Sequence, residues 1–563
     1  PVHKPVPSWP TPGARERPRV HFDDVFHVAI VDNTVFFGSS ATGAVRAFDA
    51  ITGTNLWTFL AGGAVRLAPA VWERRVYVTS DDGLIYCLSA RDGKVLWQRR
   101  ASGSDEQVVG HGRIISAHPP RGGVVVADGT AYFAYGIFPT EGVGLCAVDA
   151  ATGTPVWSNT GFGQRYQRMA HGGTEGFCGV SPQGYMLASD TTLFVCSGRS
   201  VPAAFARKGG ELLYWKGATH HEGGTWALLA GETLYSDADR LLPPNAIAAY
   251  YQNVKGLPPV DGTRLKRDSP RLMARDGKTG EDLFVAFPGD RVVVTDKTTY
   301  TQQNGVITAI DRQAYDALGA QENALAKKLM SNFWKNYKRS LDIRVLADRR
   351  KRRQANGEDL PKNELEKLAA AREEVAPGWT ERDGLEQRMH DTKTAISKIV
   401  RWRCTTELTE EIIVAGDTVF VGGANQVGAI RATDGQLVWT QKVTGNARGL
   451  AVANGRLVVS TDSGHIHCFS TASATTPPPA KEQAGSKAPP KETPTSEQSA
   501  YSALFEAIPA ELKTTRGIAL VYGCDRGALI GELVAQTDLY VVGYDPVLRN
   551  VLAARQDLLD RGI

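Results

Sequence analysis

Short runs in which apolar and polar residues alternate recur along this chain in two registers. The first begins at Gly43 with Ala44-Val-Arg-Ala-Phe48, turns through Asp49-Ala-Ile-Thr52-Gly53 and ends on Leu56-Trp57. It returns as Gly83 to Trp97 and Gly144 to Trp157, in weaker form as Ala204 to Trp215, Leu272 to Phe284 and Val427 to Trp439, and in part as Gly305 to Asp311 and Gly464 to Ser470. The second register precedes each copy and consists of two apolar runs flanking a polar turn. Ala29-Ile-Val-Asp32-Asn33-Thr-Val-Phe-Phe37 and Val452-Ala-Asn454-Gly455-Arg-Leu-Val-Val459 are examples. Alternation with a period of two predicts half-buried strands, and the Gly/Asn/Asp turns predict hairpins. Each register counts eight. A four-stranded unit of this kind cannot bury both of its faces alone, so the units must stack radially. The fold expected is mainly β: an eight-bladed propeller over residues 25–470, after an N-terminal extension of residues 1–24. Trp57, Trp97, Trp157, Trp215, Trp402 and Trp439 are expected at equivalent buried positions between blades.

Three segments break the pattern. After Asp311 the expected turn and Trp are missing until Trp402; residues 313–395 instead read as a helical insertion, with helices expected over 314–353, 363–375 and 385–398. Residues 471–500 are Pro, Ala, Ser, Thr, Lys and Glu, the composition of a disordered linker. From residue 501 the class changes. A buried strand Ile518-Ala-Leu-Val-Tyr522 leads into Gly523-Cys-Asp-Arg-Gly527, an apolar helix Ala528 to Gln536, and a second strand that ends at Asp545. This is the first half of a Rossmann-like α/β unit, in which a Gly-rich turn admits a ligand to the backbone and an acid at the tip of the second strand binds a ribose diol.

The A-x-D-x-x-T-G-x-x-x-W tails of the repeat resemble the pyrroloquinoline-quinone (PQQ) type propeller repeat. That family includes quinoprotein alcohol dehydrogenases and non-catalytic relatives such as the outer-membrane assembly lipoprotein. The resemblance covers residues 25–312 and 396–470 and speaks for fold rather than activity. The C-terminal loop is similar to motif I of class I S-adenosylmethionine (SAM) methyltransferases. It implies SAM as cofactor of the full-length protein, with Gly523, Cys524, Asp525 and Gly527 in the binding loop and Asp545 as the ribose acid. Val521 stands where that family has an acid, and Asp525 where it has a Gly. The later strands that carry catalytic groups in such enzymes are not in this sequence, so no catalytic residue is assigned. Quinoprotein dehydrogenases use a vicinal Cys-Cys pair and a calcium site of Glu, Asn and Asp. Neither pattern occurs here, so PQQ is not expected.

Composition narrows the partners. Lys and Arg exceed Asp and Glu by only four over 563 residues, too little for whole-chain nucleic-acid binding. Residues 327–353 carry eleven Lys/Arg against Asp342 and Asp348, a net +9; the acidic stretch from Glu358 to Glu374 is expected to offset this run, and nucleic acid is not an expected partner. Seven cysteines with no CxxC spacing exclude a disulfide framework and a thiolate metal motif. No unbroken apolar run is long enough for a transmembrane helix. His171-Gly-Gly-Thr-Glu175 and His220-His221-Glu222-Gly-Gly-Thr225 echo each other. They read as paired loop turns rather than zinc ligands, because neighbours on an extended strand point to opposite faces. The expected ligand is a protein or polymer on the loop face bearing His171, His221 and Glu222, the expected state is a monomer, and no metal is assigned.

Overall fold

A computed structural model of the chain describes residues 3–8, 22–110, 113–168, 175–198, 200–216, 225–238, 271–289, 291–470 and 516–563. The alternating segments form antiparallel meanders. Six four-stranded sheets begin at Val28–Val31, Ala70–Trp72, Val124–Ala127, Met186–Ala188, Leu228–Ala230 and Arg291–Val294, each with its strands in chain order. A five-stranded sheet runs from Glu411–Ala415 to Ile466–Ser470. Two hairpins that the repeat did not predict, Gln107–Gly110 with Arg113–Ser116 and Arg165–Arg168 with Glu175–Cys178, stand between sheets.

One register detail repeats. Ala47, Cys87, Ala147, Ala204, Ala274, Ala309 and Ala429 each face an aromatic residue on the following strand: Trp57, Trp97, Trp157, Tyr214, Phe284, Trp402 and Trp439. Pairing slips by one residue directly after each of these small residues. A bulge of this kind raises local twist and re-aims the neighbouring side chain. At Trp57, Trp97, Trp157 and Trp402 the aromatic reaches the turn of the next sheet. The indole N–H of Trp57 donates to Ala90 O at 3.0 Å, Trp97 to Ala150 O at 3.0 Å, Trp157 to Arg207 O at 2.9 Å and Trp402 to Ala432 O at 2.8 Å. Each ring lies on a turn glycine: a Cβ at Gly93, Gly153, Gly210 or Gly435 would meet it at 2.5–2.7 Å. Trp215 does not join this series. It lies one residue past the register, and its indole donates to Ser200 Oγ at 3.2 Å; a one-residue offset on a strand reverses the face. Tyr214 takes the place instead, with its hydroxyl donating to Gly277 O at 3.1 Å and its ring over Gly280.

The turn of the repeat is a single helical turn. Gly53 N–H donates to Asp49 O at 2.8 Å, four residues back, and Asp49 Oδ1 accepts from Ile51 N and Thr52 N at 2.8 Å. Gly53 then takes φ +72°, which ends the helix as a left-handed C-terminal residue does. At Asp311 the same start is made: its Oδ1 accepts from Ala314 N at 3.1 Å. The fourth position after it is Tyr315, not Gly, and the helix continues as α1, Arg312–Gln354. A second helix, α2, Lys362–Lys398, returns the chain to the sheet. The two helices expected over 363–375 and 385–398 are thus one, running through Pro377. Packing against α1 overrides the local breaker, with Ile343, Leu368 and Val375 buried between the helices and Asn332 Nδ2 donating to Gly378 O at 2.9 Å. Asp311 N–H closes the excursion by donating to Ile399 O at 3.0 Å, as Asp49 N–H does to Thr54 O at 2.9 Å.

The hydrophobic core lies between sheets. One cluster joins Phe36, Val45 and Trp57 of the first sheet to Val76, Tyr86 and Leu88 of the second. Equivalent clusters join each later pair of neighbours in turn. The last sheet returns to the first: Asn454 Nδ2 donates to Asp32 O at 2.7 Å, and Arg448 pairs with Asp24 at 2.8 Å.

In the C-terminal unit, Arg516–Tyr522 pairs in parallel with Asp538–Tyr544, and α3, Ala528–Gln536, connects them. Helix α4, Leu548–Asp560, follows. Both helices cover one face through Val521, Ile530, Ala554 and Leu558. Ile518, Leu520 and Tyr522 are exposed on the strand. Arg555 of α4 donates to Thr42 O of the first sheet at 3.1 Å.

Candidate functional site

Segments ahead of the first strands of three sheets, together with the turn between Arg75–Thr79 and Leu84–Ser89, carry a buried ion network. Arg66 Nη1 lies 2.6 Å from Asp23 Oδ2, and Arg66 Nη2 lies 2.7 Å from Asp81 Oδ2. Arg121 Nε and Nη2 each reach Asp81 at 3.2 Å. Ser8 N–H donates to both oxygens of Asp23, and Arg66 donates to Val6 O, so the N-terminal residues are tied into the same network. All four charged side chains are at most 5% exposed. Burial pushes the Asp81 carboxyl up, but Arg121 and Arg66 outweigh it and hold it below the usual carboxylate range. The Arg66 guanidinium is held above its ordinary value, since Asp81 and Asp23 outweigh its desolvation. Such a cluster is stable only when each charge is met, and here two carboxylates meet two guanidiniums.

Beside it, the His27 ring stands edge-on to Tyr185 with centroids 5.6 Å apart. Its Nε2 faces Phe22 O, and burial lowers its pKa. The Tyr185 hydroxyl accepts from Ala68 N at 3.3 Å, and burial pushes its pKa up. Across the ring, Arg448 bridges Asp24 at 2.8 Å and Glu410 at 2.9 Å, while burial raises the Glu411 carboxyl near Arg291. These residues are scattered from position 8 to position 448 and form no local motif. No shared sequence signal points to them.

Gly523 bends at φ +89°, and a Cβ there would meet nothing within 4 Å, so the space over it is open. Gly527 takes φ +76° and caps α3. Asp545, at the end of the second strand, comes beside the loop: its carboxylate accepts from Cys524 N at 3.0 Å, Val547 N at 2.8 Å and Asn550 Nδ2 at 3.2 Å. The Val547 amide leads the groups that lower its pKa. Asp525 is a non-glycine residue at φ +42°. Cys524 turns its thiol into the core against Ile530, and burial raises its pKa. Gly523, Asp525, Gly527 and Asp545 therefore gather at one end of the two strands, with Cys524 contributing its amide.

His171, His220, His221 and Glu222 lie outside the described residues. Next to the second motif, Thr225 is buried and its carbonyl accepts from Tyr185 N at 2.8 Å. The hairpin next to the first His loop displays Tyr166 and Phe177, each 62% exposed, with ring centroids 5.3 Å apart. Three arginines of the basic run pair within the insertion: Arg349 with Glu364, Arg350 with Asp359 and Arg353 with Glu358.

A stacked quinone beside calcium does not fit the described residues. All seven cysteines are free and far apart in sequence. Trp57, Trp97, Trp157 and Trp402 are committed to the turns of neighbouring sheets. Among the described residues no group of three His, Cys, Asp or Glu is arranged to hold a metal. No described helix is long and apolar enough to cross a membrane.

Comparison with known proteins adds three findings. The profile of the family described as outer membrane protein assembly factor BamB matches residues 19–283 and 383–489. None of the curated proteins matches the chain. Among solved structures, the chain is similar to the computationally designed Ika8 protein (10% identity, 79% of this chain and 96% of that one, TM-score 0.44). It is also similar to BamB from Moraxella catarrhalis (12%, 79% and 94%, 0.43) and to a europium-containing methanol dehydrogenase (11%, 78% and 83%, 0.40).

Proposed function

The chain belongs to the family described as outer membrane protein assembly factor BamB, and from that membership we propose that its propeller is a non-catalytic scaffold that holds a protein or polymer ligand on its loop face. The observation that carries this reading is the axial network. Asp23, Arg66, Asp81 and Arg121 are buried and neutralise one another, which leaves recognition to the exposed loops and hairpins. Tyr166 and Phe177 offer the exposed aromatic surface that interfaces favour.

In this reading the propeller has eight blades. Six are the four-stranded sheets, and the five-stranded sheet supplies two, because its long strands Thr418–Arg431 and Leu437–Ala453 each pair in two stretches. A cluster containing Val427, Val443, Leu457 and Val459 supports that division. The C-terminal unit is the opening half of a Rossmann-like domain of methyltransferase type. Its open Gly523 and adjacent Asp545 suit a nucleoside, and SAM would supply a methyl group on a sulfonium. On this reading the propeller is a scaffold linked to a methyltransferase-type unit. A second reading, a unit that has lost SAM, rests on Asp525, whose side chain stands where the related loops have glycine.

Site-specific photo-crosslinkers test the scaffold reading in the native host. Placed at 166 and 177, they are expected to give one shared protein or polymer adduct. A crosslinker at Leu56, on the outer strand of the first sheet, is expected to give none. Equal labelling from all three positions would contradict a ligand-bearing loop face.

A further inference from the structure

Arg66 and Arg121 are each met by a carboxylate. A second group of basic side chains is not. It surrounds residues 39–43, the link between the second and third strands of the first sheet. Arg113 Nη1 donates to Ser40 O at 3.1 Å, and Arg555 Nη2 of α4 donates to Thr42 O at 3.1 Å. Arg46 stands on the strand that leaves the link, Ala44–Asp49. Val6 N–H donates to Ser40 Oγ at 2.9 Å, which brings the segment of His3 to the same link. All four side chains are half-buried.

Among the described residues, Arg46, Arg113 and Arg555 have no carboxylate at ion-pair distance. Burial lowers the pKa of all three, and that of His3, on which Arg46 and Arg113 also act. Three carboxylates act on the arginines from further away: Asp560 on Arg46, Asp82 on Arg555 and Asp81 on Arg113. Each is committed elsewhere. Asp560 accepts from Gln556 Nε2 at 2.8 Å. Asp82 accepts from the Tyr86 hydroxyl at 2.6 Å, Gly62 N–H at 2.7 Å and Leu84 N–H at 2.8 Å. Asp81 is held by Arg66 and Arg121. His3 Nε2 is buried and has no hydrogen-bond partner.

A desolvated cation without a counter-charge is unfavourable, and an anion that meets it removes that cost. Guanidinium presents its donors in a planar fork that matches phosphate oxygens. Arg113 and Arg555 each use one nitrogen on a carbonyl, which leaves the others for a ligand. Three guanidiniums favour a dianion over a monoanion. A phosphate monoester carries close to two negative charges at neutral pH and three acceptor oxygens.

We propose that His3, Arg46, Arg113 and Arg555 form a binding site for a phosphate monoester group, drawn from both the propeller and the C-terminal unit. The phosphate oxygens accept from the guanidinium N–H groups and from a protonated His3 Nε2. Because Arg555 lies on α4 and Arg46 on the first sheet, the bound anion ties the two units together. The inference is separate from the scaffold reading: it stands or falls whatever the loop face carries.

The probes are inorganic phosphate and O-phosphoserine, titrated calorimetrically into the full chain, and co-sedimentation with phosphatidic acid vesicles. The first two present the group free and the third presents it on a lipid, so the tighter arm identifies the source. One saturable site per chain is expected, and phosphate should raise the melting temperature. Acetate, a monoanion, should bind at least about tenfold more weakly. Arg46→Gln and Arg555→Gln, each checked for native β circular dichroism, should each weaken phosphate binding at least about tenfold. Arg349→Gln, which alters a paired arginine of the insertion, should leave it unchanged. Three results overturn the proposal: no saturable uptake in any arm, equal affinity for acetate, or phosphate binding that survives Arg46→Gln or Arg555→Gln in the folded protein.

Discussion

Trp57 shows how much one residue carries. Its ring covers Gly93, its N–H satisfies Ala90 O, and it is 7% exposed. Trp57→Phe keeps most of the packing and loses the hydrogen bond, so a cost of about 1 kcal/mol is expected in denaturant unfolding. Trp57→Ala also opens a cavity between two sheets and should cost about 3–5 kcal/mol. Asp81→Asn should cost about as much as the cavity, roughly 3–5 kcal/mol, because Arg66 and Arg121 would stay buried without their carboxylate. His27 sets a pH dependence. Burial holds its folded pKa below the unfolded value of about 6.5. As pH falls through that value the unfolded chain takes up a proton that the folded ring refuses, so stability falls on acidification until the folded pKa is reached. His27→Gln, which retains a donor toward Phe22 O, should flatten the slope of stability against pH between about 7 and 5.5.

At the scale of elements, the turn explains both the regularity and the exception. Asp-x-x-Thr-Gly is a helical turn stopped by a left-handed glycine, and removing the glycine lets the same start run on into α1, 43 residues long. Replacing Arg312–Lys398 by Ala-Ile-Thr-Gly, the four residues between Asp49 and Thr54, should therefore restore an ordinary turn between Asp311 and Ile399. The shortened chain should keep a single cooperative unfolding transition and its β circular dichroism; loss of cooperativity would place the insertion within the core. Strands, hairpins and the long insertion were legible in the sequence because a period of two and a repeated turn are local signals. Tyr214 was not, since Trp215 beside it matched the letter of the repeat while only the register decides which side chain faces the next sheet. The unbroken α2 was hidden by Pro377, whose local effect is reversed by packing that no single helix encodes. The loop at Gly523 and the acid at Asp545 were legible from their order along the chain, whereas the axial ions were not, because ring closure brings Asp24 to Arg448.

At the scale of the molecule, the sheets act as a ring whose cores lie between units, so each unit is stable only with its neighbours. Uptake of a quinone with calcium would separate a dehydrogenase from the proposed scaffold. Titrating the full-length chain with PQQ and calcium, followed by calorimetry and the quinone absorption band, tests that separation most directly. The account predicts no stoichiometric uptake and no alcohol-dependent reduction of an electron acceptor. Calcium-dependent binding of one PQQ per chain with dehydrogenase activity would contradict it.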